Sequence, residues 1–237
     1  TRTPVTLTIN AAPSVPTNPL NVTICEGDQE TILASVDELQ GFTITWYDAA
    51  IGGNIVESPS WSQVGSITYY AESVNDETGC KSLTRTPVTL TILGAPVAPI
   101  SEGDKVECQV SPLQTLTAEA NVPQGFSIVW YNAAIGGSVV ASPTLNTVGS
   151  VTYYAQAVNN ETGCESLDRT AVTLTILAAP VAPVSRGNQI VCESVEPQNL
   201  VPSALVPDGF SVVWYTAATG GSVVANPSLS TVGTVTY

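Results

Sequence analysis

The sequence predicts an all-β chain of small antiparallel β-sandwiches strung in series. Three observations predict it. A block of 84 residues recurs, apolar and polar side chains alternate two by two inside each block without helical spacing, and proline-rich punctuation falls at equal intervals. Trp46, Trp130 and Trp214 are each 84 residues apart, and residues 42–92 laid over 126–176 agree at 34 of 51 positions.

The punctuation sets the boundaries. "AAPSVPTNP", "GAPVAPISEGD" and "AAPVAPVSRGN" are proline-rich and favour extended, stiff connections. Residues 1–12 therefore read as the last strand of a preceding unit, 13–95 as one full unit and 96–179 as a second. Residues 180–237 read as a third unit that stops before its final strands. A period this long suits a chain of small domains better than a solenoid.

Within a unit the elements follow in order. "TILASV" (31–36) and its counterpart "TLTAEA" supply a short strand. In "FTITWY", Phe42, Ile44 and Trp46 share one face, as Phe126, Ile128 and Trp130 do in the second copy. "DAAIGG" then turns, its glycines supplying positive backbone angles, and "NIVES" leaves along the next strand. A phosphate cradle would instead need a helix opening after the glycines, and usually a lysine. "ITYYAESV" turns Ile67, Tyr69 and Ala71 inward, and "RTPVTLTI" does so with Val88, Leu90 and Ile92. Many short strands, frequent turns and a Trp aimed between two sheets read as an immunoglobulin-like sandwich.

Composition narrows the function. Six Lys and Arg against twenty Asp and Glu leave a formal charge of −14, which repels nucleic acid phosphates and offers no basic patch. Histidine is absent, and with it the commonest general base and zinc ligand. No nucleophile–base pair can be assembled, so no catalytic residue, metal site or cofactor is expected. Methionine is absent too, which reads as a chain cut from something longer. No apolar run approaches the ~18 residues of a membrane span, so no membrane insertion by this segment is expected.

Each full unit carries two cysteines, Cys25 with Cys80 and Cys108 with Cys164, separated by 55 and 56 residues. Cys192 would find its partner near position 248, beyond the last residue. No CxxC-type pair offers a zinc site. The favoured reading is one structural disulfide inside each unit, tying the edge or end of the sandwich. The alternative is a pair of buried free thiols in a reducing compartment. A bridge of this span stabilises by about 4 kcal/mol in the chain-entropy model and belongs to an oxidising, extracellular setting.

The run "ICEG…TILA…GFTITWYDAAIGG…SITYYAESVNDETGCKSLTRTPVTLTI" resembles a family of immunoglobulin-like repeats in large surface proteins of Bacteroidetes. Its marks are Cys25-Glu26-Gly27, Trp46-Tyr47, Gly52-Gly53, Thr68-Tyr69-Tyr70, Gly79-Cys80, Ser82 and Arg85. The second unit keeps most of them but has Gln109-Val110 after its first cysteine. The resemblance implies a repeat of very long adhesin filaments exported by type IX secretion, similar to those that serve surface attachment in gliding flavobacteria. It implies a cell-surface location, outer-membrane associated through other parts of the parent chain. Extracellular surfaces or polysaccharides would be met by those other parts, with the motility or secretion machinery as partner. The second reading is a spacer or glycan-binding accessory module beside a secreted polysaccharide-degrading enzyme.

Three further features carry weaker expectations. Glu26, Asp28 and Glu30, and separately Asn75, Asp76 and Glu77, could be calcium turns, but the first cluster does not recur in the second unit. The second recurs as Asn159, Asn160 and Glu161, with one fewer charge, so solvated turns are the expectation. Trp61, replaced by Leu145 and Leu229 in the other copies, reads as a core position. Tyr47 and Tyr70 are expected to face outward, where they could meet glycans or serve as cross-strand partners.

Overall fold

In the computed structural model, residues 2–28 and 31–237 are described, so Glu30 of the first acidic turn lies outside them. Residues 1–177 form one compact unit and 178–237 another.

The first repeat contains β1 (Val22–Cys25), β2 (Ile32–Leu33), β3 (Phe42–Tyr47), β4 (Ser60–Trp61), β5 (Gly65–Asn75) and β6 (Thr86–Leu93). Its main sheet runs β1-β6-β5-β3, with β1 parallel to β6 and the other pairs antiparallel. The β2–β4 pair packs opposite. Ile32, Ala34, Tyr69, Val88, Leu90 and Ile92 fill the space between, and Trp46, Trp61 and Ile67 lean onto them. The strand alternation of "RTPVTLTI" is why: Val88 and Leu90 are fully buried while the threonines between them face outward. Those threonines are not idle, since Thr68 and Thr89 hydroxyls pair across the strands at 3.0 Å. Trp61 takes its expected core place and donates its indole N–H to Gly65 O at 3.2 Å.

The second repeat repeats the plan, with β7 (Ile100–Ser101), β8 (Lys105–Cys108), β9 (Leu116–Thr117), β10 (Ala120–Asn121), β11 (Phe126–Tyr131), β12 (Thr144–Leu145), β13 (Gly149–Asn159) and β14 (Thr170–Leu177). Its main sheet is β11-β13-β14-β8, again with one parallel edge pair, β14 with β8. Leu116, Ala118, Leu145, Val172, Leu174 and Ile176 make its core, with Trp130 packed against it. The parallel edge strands β1 and β8 were not legible in the sequence; each is four residues long and lacks clear alternation.

The unit 178–237 holds only two-residue strands, β15 (Val184–Ser185) with β16 (Ala204–Leu205) and β17 (Trp214–Tyr215) with β18 (Val223–Val224). It contains no counterpart of Val172, Leu174 and Ile176, the side chains that close the second repeat's core. Residues 2–12 form no strand, and Val5, Leu7 and Ile9 are exposed along them.

Candidate functional site: a staple and a clamp

Two recurrent constructions stand out, and they answer what the cysteines and the WYxAAxGG motif are for. The first corrects the expected disulfides. Cys25 is bonded to Cys164, across two repeats, with Cα atoms 5.4 Å apart, while Cys80, Cys108 and Cys192 are free thiols. Neither Cys25–Cys80 nor Cys108–Cys164 forms.

The topology gives the reason. Cys25 ends β1 opposite Leu93, at the outgoing end of β6. Cys80 follows β5, whose Asn75 N–H donates to Cys80 O at 2.9 Å, at the incoming end. Because β5 and β6 run antiparallel over almost their whole length, the two cysteines sit at opposite ends of the sheet. Eleven strand residues at ~3.3 Å each put them roughly 30 Å apart. A disulfide requires Cα atoms within ~7 Å. The outgoing end of one repeat, however, meets the incoming end of the next, and there Cys25 reaches Cys164.

The junction is built around that bond. Cys164 is buried, 1 % exposed. Glu26 accepts a hydrogen bond from Ala95 N–H at 3.0 Å, fastening the spacer to the turn after Cys25. Asp28 turns back to accept from Cys25 N–H at 3.0 Å. At Gly27 (φ 93°) a Cβ would lie 2.6 Å from Leu167 Cδ2 of the second repeat, so the absence of a side chain lets the repeats approach. The proline-rich leads also dock on the repeats: Thr86 donates its hydroxyl to Pro16 O at 2.6 Å, and Thr170 donates likewise to Pro99 O. The acidic turns thus hold the chain's own backbone. Asn75 accepts from Glu77 and Thr78 amides, and Asp76 accepts from the Thr43 hydroxyl. Among the described residues no group of three or more Cys, Asp or Glu converges as a metal site.

The second construction corrects the expected outward Tyr47. Its ring is buried, 6 % exposed, beneath the Arg85 guanidinium, whose central carbon lies 3.2 Å from the ring centroid. Arg85 donates from one terminal nitrogen to Ala49 O at 2.7 Å and Gly52 O at 2.6 Å, closing the AAIGG loop. Its Nε donates to Glu72 at 3.3 Å. Glu72 also accepts from the Tyr47 hydroxyl at 3.0 Å and pairs with Lys81 at 3.0 Å. Burial works to raise the Glu72 pKa, but donation from Lys81, Tyr47 and Arg85 outweighs it and holds the carboxyl below its ordinary value. Lys81, facing that carboxylate, is raised. Tyr70 is half-buried.

The same clamp closes the second repeat. Arg169 lies 3.4 Å over Tyr131 and donates to Ala133 O at 2.9 Å and Gly136 O at 2.6 Å. The loop's first residue varies but its task does not. Asp48, Asn132 and Thr216 each accept from the backbone N–H six residues on, at 2.7, 2.8 and 2.9 Å. That acceptor fills the space a Cβ at Gly53 would need, 2.3 Å from Asp48 Oδ1, and the residue stands at φ 74°. Arg85, in plain view as a motif residue, gave no sign of its receptor, which is 36 residues earlier in the chain.

Comparison with known proteins agrees with this architecture. The profile of the family described as Ig-like domain, CHU_C associated, matches residues 13–93 and 96–177. No curated protein matches the chain. Among solved structures, the titin I-band fragment I67–I69 is 16 % identical, covering 87 % of this chain and 79 % of that one, with a TM-score of 0.38. Immunoglobulin domains 1–5 of Sidekick-1 are 17 % identical over 84 % of this chain and 48 % of that one, with a TM-score of 0.26. Fibronectin(III)-like modules of Clostridium thermocellum CbhA are 14 % identical over 67 % and 90 %, with a TM-score of 0.34. With two complete sandwiches falling on the two matched segments, the chain belongs to the CHU_C-associated Ig-like domain family.

Proposed function

We propose that this chain is a non-catalytic, load-bearing repeat region of a long extracellular adhesin, serving surface attachment and gliding motility and exported by type IX secretion. The observation that carries the reading is the Cys25–Cys164 bond between neighbouring repeats. A bond that joins two folded modules does nothing for a catalytic pocket, but it holds a filament together when pulled. Disulfides persist in oxidising, extracellular compartments, in keeping with a cell-surface location. The acidic surface favours solubility over self-association at low salt. Contact with surfaces or polysaccharides falls to other parts of the parent protein, and its anchor to the outer membrane and motility machinery likewise. Glycan binding by these repeats is less favoured, because Tyr47 and Tyr131 lie beneath arginines.

The test is antibody raised against residues 13–177, applied to intact cells that make the protein. Labelling of unpermeabilised cells as extended fibres, with reduced attachment and gliding, is expected. Labelling only after permeabilisation would refute the proposal, and retention of the repeats on insoluble polysaccharide would favour the accessory role.

A further inference from the structure

The two free cysteines of the complete repeats occupy the same backbone settings as the two bonded ones. Cys108 stands opposite Leu177 at the end of β8, as Cys25 stands opposite Leu93, and the next amide donates to that leucine's carbonyl at 2.8 Å in both repeats. Cys80 lies in the same Asn-Glu/Asp-Glu-Thr-Gly turn family as Cys164: Asn75 N–H donates to Cys80 O at 2.9 Å and Asn159 N–H to Cys164 O at 2.8 Å. In both turns a threonine hydroxyl accepts from the cysteine N–H at 3.3 Å. Each half of the staple is therefore preformed in the repeat where it is unbonded. Cys80 and Cys108 cannot meet each other, since one lies at the incoming end of the first repeat and the other at the outgoing end of the second.

We infer that Cys80 and Cys108 are open halves of the same staple, completed wherever another copy of the repeat adjoins. Cys108 takes the Gly-Cys cysteine of a following repeat, and Cys80 takes the cysteine after the first edge strand of a preceding one. In the bonding step two protein thiols lose two protons and two electrons to a disulfide oxidant, RSSR, which leaves as two RSH. At the second junction Val110 stands where Gly27 stands at the first, so the facing leucine must turn aside; Leu167, 62 % exposed, has the room to do so.

The staples overlap in sequence, and that has a mechanical consequence. Pulled from its ends, a run of such repeats is loaded along two covalent paths. One crosses from Cys25 to Cys164 and continues through β14 and the spacer to Cys192. The other runs from Cys80 through β6 and the spacer to Cys108 and crosses there. The 55-residue stretch from the first to the second cysteine of each repeat lies on neither path. This inference concerns the covalent architecture and stands whether or not the protein is an adhesin.

The test is the full chain with a second copy of residues 96–179 inserted after Ala179, made in an oxidising compartment and mapped by non-reducing peptide mass spectrometry. Glu165→Asp in the second copy, at an exposed position, tags its Cys164 peptide by mass. The expected result is Cys25 joined to the untagged Cys164 peptide and the first-copy Cys108 joined to the tagged one. Alkylation of the first-copy Cys108, or its bond to the untagged peptide, overturns the inference. The unduplicated Cys25→Ser chain provides a second reading: Cys108 and Cys164 should both remain open to alkylation. A Cys108–Cys164 bond there would show that the halves close within a repeat.

Discussion

The two complete repeats hold their Tyr–Arg clamps in different electrostatic ways. In the first, Glu72 and Lys81 flank Arg85 as an ion-paired set; in the second, Gln156 and Glu165 stand at those positions. Arg169 still lies on its tyrosine, and its Nε donates to Gln156 Oε1 at 3.0 Å where Arg85 meets Glu72 at 3.3 Å. The two positions changed together, because Lys81 without a carboxylate at 72 would lose its partner. What the clamp requires is the planar guanidinium over the ring and its two carbonyl acceptors; the charge of the acceptor below is optional. A lysine at 85 could not replace it, lacking the fork that reaches Ala49 O and Gly52 O together.

The largest expected effect comes from breaking what joins the repeats. Cys25→Ser removes closure across 139 residues, worth at most about 5 kcal/mol in the chain-entropy model. The two repeats should then unfold as separate thermal transitions, each at its own temperature. A single unshifted transition in calorimetry would show that the staple does not couple them.

Next are the clamps themselves. Arg85→Ala strands the buried Glu72 with only Lys81 and Tyr47 beside it and should cost about 3 kcal/mol. Arg169→Ala leaves only neutral acceptors unpaired and should cost about 2 kcal/mol. Hydrogen exchange of β5 and β13 amides reads each repeat in its own place. Equal losses would mean the ion pairs contribute nothing beyond the ring and carbonyl contacts.

The smallest effect is on pH dependence. Glu72 is held below its ordinary 4.5, so it contributes stability that is present above about pH 4.5 and lost as pH falls through its folded value. Lys81 is raised above 10.5, so its share is present below that pH and lost as pH rises through the folded value. β5 amides should therefore lose protection at both extremes while β13 amides, beside Gln156, keep theirs. The Glu72→Gln, Lys81→Glu double variant should abolish the difference, and persistence of it would place the titration elsewhere.

Much of this was readable one-dimensionally. Alternation in "VTLTI" exposes its own inward face, because a strand's side chains point to opposite sides whatever packs on them. The 84-residue period announces the repeats, and the substitution of Trp61 by leucine announces a core position. Asp48, Asn132 and Thr216 could have been recognised as loop acceptors, since each is six residues before the amide it holds. Tyr47 could not: its place on the strand's outer face predicts exposure, and only Arg85, brought over it by the pairing of β3, β5 and β6, buries it.

By itself the sequence determined the class of fold, the number of complete repeats and which side chains line their cores, because these follow from local periodicity and from identity between copies. The tertiary structure alone decided which cysteine meets which. Count and spacing pair Cys25 with Cys80, but antiparallel strands carry those two sulfurs to opposite ends of one sandwich, and a disulfide forms where ends meet, between one repeat and the next.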